Sequence, residues 1–322
     1  MSLLTTIAYS LTIYLGIPIY IFGFVGSLLN IRILYVNRMN PCTFLLIYSS
    51  LVDCFVLHIG LMPRILAVGF NIDPTLSNLS WCKIRTYGLR ISTLISLYTI
   101  CLTSIDRFFV SCRTVRWRQL SNIQFVHWST LAMTLLIVLE GLPFFILTDI
   151  RRSNTTISCT PMYNLIFATY ASFFCIPILF GLLPLSILIT MAILISHKLH
   201  GRIHLRKAQH TLTSIILFRI VSVLVSCGPY TSYFVYSAII SLIVPVKSAE
   251  RVAIEVFLLN VVSICLYFTY ASPFYVHYWT SPTYRRECLN LFTHLHRTGR
   301  QNLVHPAPWI VPILARRNLA DV

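Results

Sequence analysis

Polar positions vanish from this chain for twenty or more residues at a time, and they return only in short clusters. Seven apolar runs result, near Tyr9–Tyr35, Phe44–Gly69, Ile84–Val110, Phe125–Leu147, Leu165–Ser196, Leu212–Val244 and Val252–Trp279. A helix needs about 20 mostly apolar residues to cross a bilayer, so each run is long enough to span one. Inside hydrocarbon every backbone donor and acceptor must be paired within its own segment, which makes the runs helices and not open strands. Pro18, Pro63, Pro143, Pro177, Pro184, Pro229 and Pro273 fall inside or near the ends of these runs, and each is expected to kink its helix. The first run lacks a basic segment before it and is too long for a signal peptide, so it is read as a span. No internal repeat is seen, which weighs against the duplicated transporter architectures. The pattern predicts an all-α membrane protein, a seven-transmembrane helix bundle over residues 1–296, with a tail over 297–322 that is expected to lack fixed structure.

Composition narrows the class. Of 322 residues, 57% are hydrophobic and 11% charged, against roughly a quarter charged in soluble domains. Disorder is excluded as well, because it requires low hydrophobicity. The net charge of +16 would suit a nucleic-acid binder if read alone. Its distribution points instead to topology: Arg38, Arg107, Arg113, Arg116, Arg118, Lys198, Arg202, Arg206, Lys207 and the arginines from Arg285 to Arg317 all fall on one side of the seven runs. By the positive-inside rule that side is cytoplasmic and the amino terminus extracellular, as expected for a multi-pass protein of the plasma membrane. No nucleic-acid partner is expected. Two N-x-S/T sequons, at Asn78 and Asn154, fall on the other side, where glycans are added. The ten cysteines are scattered and show no metal-ligand spacing.

The motifs have a recognisable order. The second run carries Ser49-Ser50-Leu51-Val52-Asp53; the third begins at Trp81-Cys82 and ends at Asp106-Arg107-Phe108; the fourth holds Trp128 and Pro143; one cysteine, Cys159, follows it. The sixth run contains Cys227-Gly228-Pro229, the seventh Ser272-Pro273, and Tyr284-Arg285-Arg286-Glu287-Cys288 comes after. In order and spacing this set resembles the rhodopsin-like G-protein-coupled receptors over nearly the whole chain. The resemblance implies an extracellular ligand, a heterotrimeric G protein as inner partner, and a short amphipathic eighth helix with Cys288 as its lipidated cysteine. Departures fall on the activation relay: Ser27 stands for asparagine, Phe108 for tyrosine, Cys227 for tryptophan, Ser272 for asparagine, and Ala192 and Val276 or Tyr275 for two tyrosines. A receptor-like protein that binds ligand without coupling is therefore the alternative.

Asp53 is the most informative single residue, because a carboxylate near the bilayer centre costs at least about 2.5 kcal/mol unless it has partners. Ser96 and Ser272 are its expected neighbours. The resemblance implies a hydrated sodium ion there, and the plainer reading is a protonated, hydrogen-bonded Asp53 with a packing role. Asp106 and Arg107 lie where an apolar run meets a basic loop. They either anchor a helix end or, with Phe108, form the G-protein contact that the resemblance implies. The acid expected at the base of the sixth run is Gln209, so that half of the closed-state lock is missing and measurable basal activity is expected. Cys82 and Cys159 are the disulfide candidates, both on the oxidising side. Cys288 is either palmitoylated, holding its helix to membrane lipid, or a free thiol.

Charges in the outer halves of the runs bear on the ligand: Arg64, Arg85, Arg90, Glu140 and Glu255, with His58 deeper. Arg90 is the leading candidate. Leu89 occupies the position where amine receptors carry an aspartate, and no lysine lies in the seventh run, which disfavours monoamines and excludes a retinal Schiff base. A peptide is favoured, with Arg90 meeting a carboxylate or carbonyl. Arg219, inside the sixth run, either snorkels to the interface or turns inward toward Asp53 or Asp106. A transporter or channel is a minor alternative. An enzyme is the least favoured class, since the chain has no H-E-x-x-H, G-x-S-x-G or phosphate-loop motif.

Overall fold

The structure, a computed structural model, describes residues 3–70, 72–112, 114–152, 157–160, 165–200, 207–243, 248–291 and 293. Seven of the described helices are long and apolar enough to cross a membrane. They are α1 (Leu3–Leu34), α2 (Pro41–Phe70), α3 (Leu79–Ser111), α4 (Ile123–Leu147), α5, α6 (Lys207–Ile243) and α7. Helix α5 runs through Leu165–Tyr170, a wide π-helical stretch at Ala171–Leu182 and Leu183–His200. Helix α7 covers Ala249–Ala271, breaks at Ser272 and resumes as Pro273–Thr280. A short α8 follows over 282–291. The chain is a seven-helix bundle of the multi-pass membrane type, as the apolar pattern predicts. The predicted tail, Asn154 and the basic segment 201–206 lie outside the described residues.

Polar residues at the run ends set where the helices start. Asn40 accepts from the Cys42 amide (3.1 Å), with Pro41 in the first helical position, and Asn78 accepts from the Trp81 amide (3.2 Å). Asn122 and Ser248 do the same for α4 and α7. Each cap satisfies one of the first-turn amides that lack an intrahelical partner. Pro177 lies within the π-helical stretch of α5, and Pro273 opens the resumed segment of α7, where its missing N–H costs no helical bond.

The bundle has an apolar core, yet unlike a water-soluble bundle it also turns large apolar side chains outward and encloses polar ones. Trp128, Leu136, Ile166, Leu182 and Trp279 point outward, while Asn30, Asp53, Ser96 and Thr99 are fully enclosed. Helix α3 lies at the centre and packs against α2, α4 and α5, while α1 packs along α2 and α7. At Gly23 a Cβ would meet the Ala271 Cβ at 2.6 Å, so the absence of a side chain is what lets α1 approach α7 this closely. An antiparallel hairpin of β1 (Asp149–Arg152) and β2 (Ile157–Thr160), with Ile150 opposite Cys159, caps one end of the bundle. A Cys82–Cys159 disulfide ties that hairpin to the start of α3. This is the disulfide end, and the opposite one, carrying Arg107, Arg116 and Arg118, is the basic end.

Candidate functional site

Charged side chains inside the bundle form three groups at successive depths. The middle group centres on Asp53 of α2, which is fully buried. Ser96 of α3 donates to its Oδ1, while Ser49 donates to Oδ2 at 3.4 Å. Arg219 of α6 reaches the same Oδ2 at 2.5 Å and also donates to Ser49 at 2.9 Å. Arg219 thus faces inward, and its partner is Asp53. Ser272, expected beside Asp53, donates instead to the Thr269 carbonyl of its own helix at 3.1 Å. The residues present do not fit the sodium ion implied by the resemblance. The carboxylate already faces a guanidinium and two hydroxyl donors, and a second cation beside Arg219 would meet direct repulsion. In the low-dielectric interior such an ion pair offsets its own desolvation only when hydrogen bonds complete it, and here Ser49 and Ser96 do so.

At the basic end Arg107 donates to Asp106 through Nε (3.1 Å) and Nη2 (2.5 Å), and both side chains are buried. Ser121, which follows a five-residue helical turn at Val115–Gln119, donates to the other Asp106 oxygen at 2.5 Å. That bond holds the α3–α4 connection against the end of α3. Phe108 is half-buried beside Phe109, whose ring stacks on Trp117. The Gln209 side chain lies outside the described residues. A cleft of about 390 Å³ opens near this end between α1, α2, α6, α7 and α8, lined by Asn37, Asn40, Ile215, His277 and Tyr284 among others.

Beside this cleft lies a polar cluster of which the sequence motifs contain only Ser50 and Tyr284. Asn30 of α1, fully buried, donates to Ser50 (2.5 Å) and accepts from Tyr284 of α8 (2.8 Å). His277 Nδ1 lies 2.8 Å from the same Asn30 oxygen, which can only accept, so that nitrogen carries the proton. Asn30 itself is signalled in the sequence only as an asparagine within an apolar run, three residues after Ser27. Tyr284 and Cys288 pack on Ile33, and burial pushes the Cys288 thiol up from its ordinary range. Lipidation of Cys288 would need the thiol to leave that contact.

The third group lies toward the disulfide end. Arg90 of α3 donates to Glu140 of α4 at 2.8 Å and lies 3.9 Å over the Phe144 ring, and Cys175 adds a bond to Glu140 at 3.3 Å. Arg90 is therefore neutralised from within. Glu255 pairs with Arg251 at 3.4 Å, and its backbone carbonyl accepts from Tyr233. His58 is exposed on the outer face of α2, bonded to Tyr20 at 3.1 Å and flanked by Phe24, so it does not line the interior. Arg64 donates to Asn260 of α7 at 2.9 Å, and Arg85 of α3 lies half-buried. Asn78 is exposed and uses its Oδ1 to cap α3, leaving the amide nitrogen as the atom that a glycan would take.

Compared with known proteins, the chain matches no family model and no curated protein.

Proposed function

We propose that the chain is a divergent rhodopsin-like G-protein-coupled receptor. It would sit in the plasma membrane with its amino terminus outside, bind an extracellular ligand, a peptide first among candidates, and pass a helix movement to a heterotrimeric G protein. The observation that carries this reading is the buried Asp53–Arg219 pair, 2.5 Å long and completed by Ser49 and Ser96. It joins α6 to α2 and α3 at mid-bundle, so α6 cannot move outward without breaking it. It is a tie to α6 in a chain whose sequence has Gln209 where the resembled family has an acid at the helix base. The paired Asp106–Arg107 at the basic end and the order of motifs along the seven helices support the same reading. Glycans at Asn78 and Asn154 belong to this topology.

A second reading is a receptor-shaped protein that binds ligand without coupling. It is favoured by Cys227, buried where the resembled family has a tryptophan. Ligand-dependent recruitment of a G protein to the expressed receptor, following a peptide-library screen, tests the first reading. A ligand that binds tightly yet recruits no G protein selects the second.

A further inference from the structure

Among the described residues no carboxylate pairs with Arg64 or Arg85. Glu140 and Glu255 are the two carboxylates within the spans at this end, and they are committed to Arg90 and Arg251. Arg64 has only the Asn260 amide oxygen, which also takes the Thr12 hydroxyl at 3.2 Å. Among the described residues Arg85 makes no hydrogen bond and meets no acid, and the Nε atoms of both arginines are buried without a partner. Uncompensated cations at membrane depth are costly and call for an anion.

Packing places the two arginines together. A Cβ on Gly60 of α2 would lie 2.6 Å from Leu89 Cδ1 of α3 and 2.8 Å from the Tyr267 hydroxyl of α7, so the three helices meet at that point. Arg64 lies four residues after Gly60 and Arg85 four before Leu89. Because α2 and α3 run in opposite directions, each arginine lies about one turn nearer the disulfide end than that meeting point. Tyr267 is within electrostatic reach of both, and Tyr230 of α6 is within reach of Arg64 and Arg90. Arg64, Arg85, Arg90, Tyr230 and Tyr267 thus lie near one another on α2, α3, α6 and α7, and among the described residues Arg64 and Arg85 are the two of these arginines without a carboxylate partner.

We propose that Arg64 and Arg85 bind a carboxylate of the ligand, with the Tyr267 hydroxyl as a third donor. This names the chemistry of the ligand-binding site in the proposed receptor and rests on that reading. It moves the anion contact from Arg90, whose charge Glu140 already meets, to the arginine pair one turn above. A guanidinium presents a planar fork that matches the two oxygens of a carboxylate.

The test uses the purified full chain in detergent and follows its thermal unfolding midpoint against three probes. N-acetylphenylalanine carries a main-chain carboxylate, N-acetylaspartylphenylalaninamide a side-chain one, and N-acetylphenylalaninamide none. At least one acid should raise the midpoint with concentration, and the amide should not; whichever acid acts identifies the source of the carboxylate. Arg85→Gln should shift the half-effect concentration of the acid upward by about tenfold or more, the usual loss for a charged hydrogen bond. Arg85→Lys should recover part of it. Arg85→Gln should not lower the midpoint of the ligand-free protein, since it removes an uncompensated cation. The proposal is overturned by an equal response to the amide, by no response to either acid, or by an acid response that survives Arg85→Gln and Arg64→Gln. An acid response without G-protein recruitment leaves the carboxylate site standing and overturns only the signalling reading.

Discussion

Replacing Arg219 with methionine leaves the Asp53 carboxylate enclosed with two hydroxyls as its only partners. Breaking a buried pair from one side costs about 3–5 kcal/mol, because the remaining charge must stay unpaired or take up a proton. Arg219→Met should therefore lose about that much unfolding free energy in detergent. The double variant Asp53→Asn/Arg219→Met should recover most of the loss, since no charge is then left behind. Losses that simply add across the double-mutant cycle would show that the two groups do not interact. The same geometry predicts an ion response. Exchanging sodium chloride for choline chloride should leave the wild-type unfolding midpoint unchanged, because Arg219 holds the cation position, whereas Arg219→Met should gain sodium-dependent stability. A sodium-specific rise in the wild type would place the ion beside Asp53 and rule out the guanidinium as its substitute.

At the scale of elements, Asn78 combines two roles that substitution can separate. Its side chain caps α3 and, in the proposed topology, its nitrogen accepts a glycan. Asn78→Ser should keep the cap and lose the glycan, while Asn78→Ala should lose both and cost about 1 kcal/mol more. Glycosidase-sensitive gel mobility and thermal unfolding read the two effects independently. Equal stability of the two variants would count against the cap. The helices themselves were legible from the sequence because length and apolarity, which define a span, are visible without packing. Side-chain direction was not. In α2 the turn at Leu57–Leu61 is π-helical, and its extra residue rotates everything beyond it relative to a regular 3.6-residue period. A regular period therefore misjudges where Arg64 points, whereas His58, at the start of that turn, faces outward beside Tyr20. Arg90 was legible as an important charge but not as a neutralised one, because Glu140 lies 50 residues away on another helix. Asn30 and His277 escaped for the same reason: each is ordinary in its own run, and only the packing of α1, α7 and α8 brings them to Tyr284, which the sequence marks solely as part of the eighth-helix motif.

For the molecule as a whole, the charges outside the spans and those inside do different work. The basic surplus is read as orientation, and the interior pairs as the energy that separates two states of the bundle. If α6 must leave α2 on activation, the Asp53–Arg219 pair belongs to the resting state alone. Its loss then shifts the equilibrium by whatever the pair contributes there, and every 1.4 kcal/mol is tenfold. Arg219→Ala should accordingly raise ligand-independent G-protein signalling by about tenfold or more, normalised to surface expression. Asp53→Asn should raise it as well, because one amide oxygen replaces two carboxylate oxygens that separately take Ser96 and Arg219, and the guanidinium charge is left unpaired. Expression must be scored alongside, since the same variants weaken the fold and a smaller surface pool would mask the gain. Low basal signalling in the wild type and a rise in Arg219→Ala would together fit a pair that restrains α6. A basal signal that stays the same per receptor in both variants would mean that the pair persists in both states, leaving it a structural tie and moving the restraint to the buried Asp106–Arg107 group at the basic end.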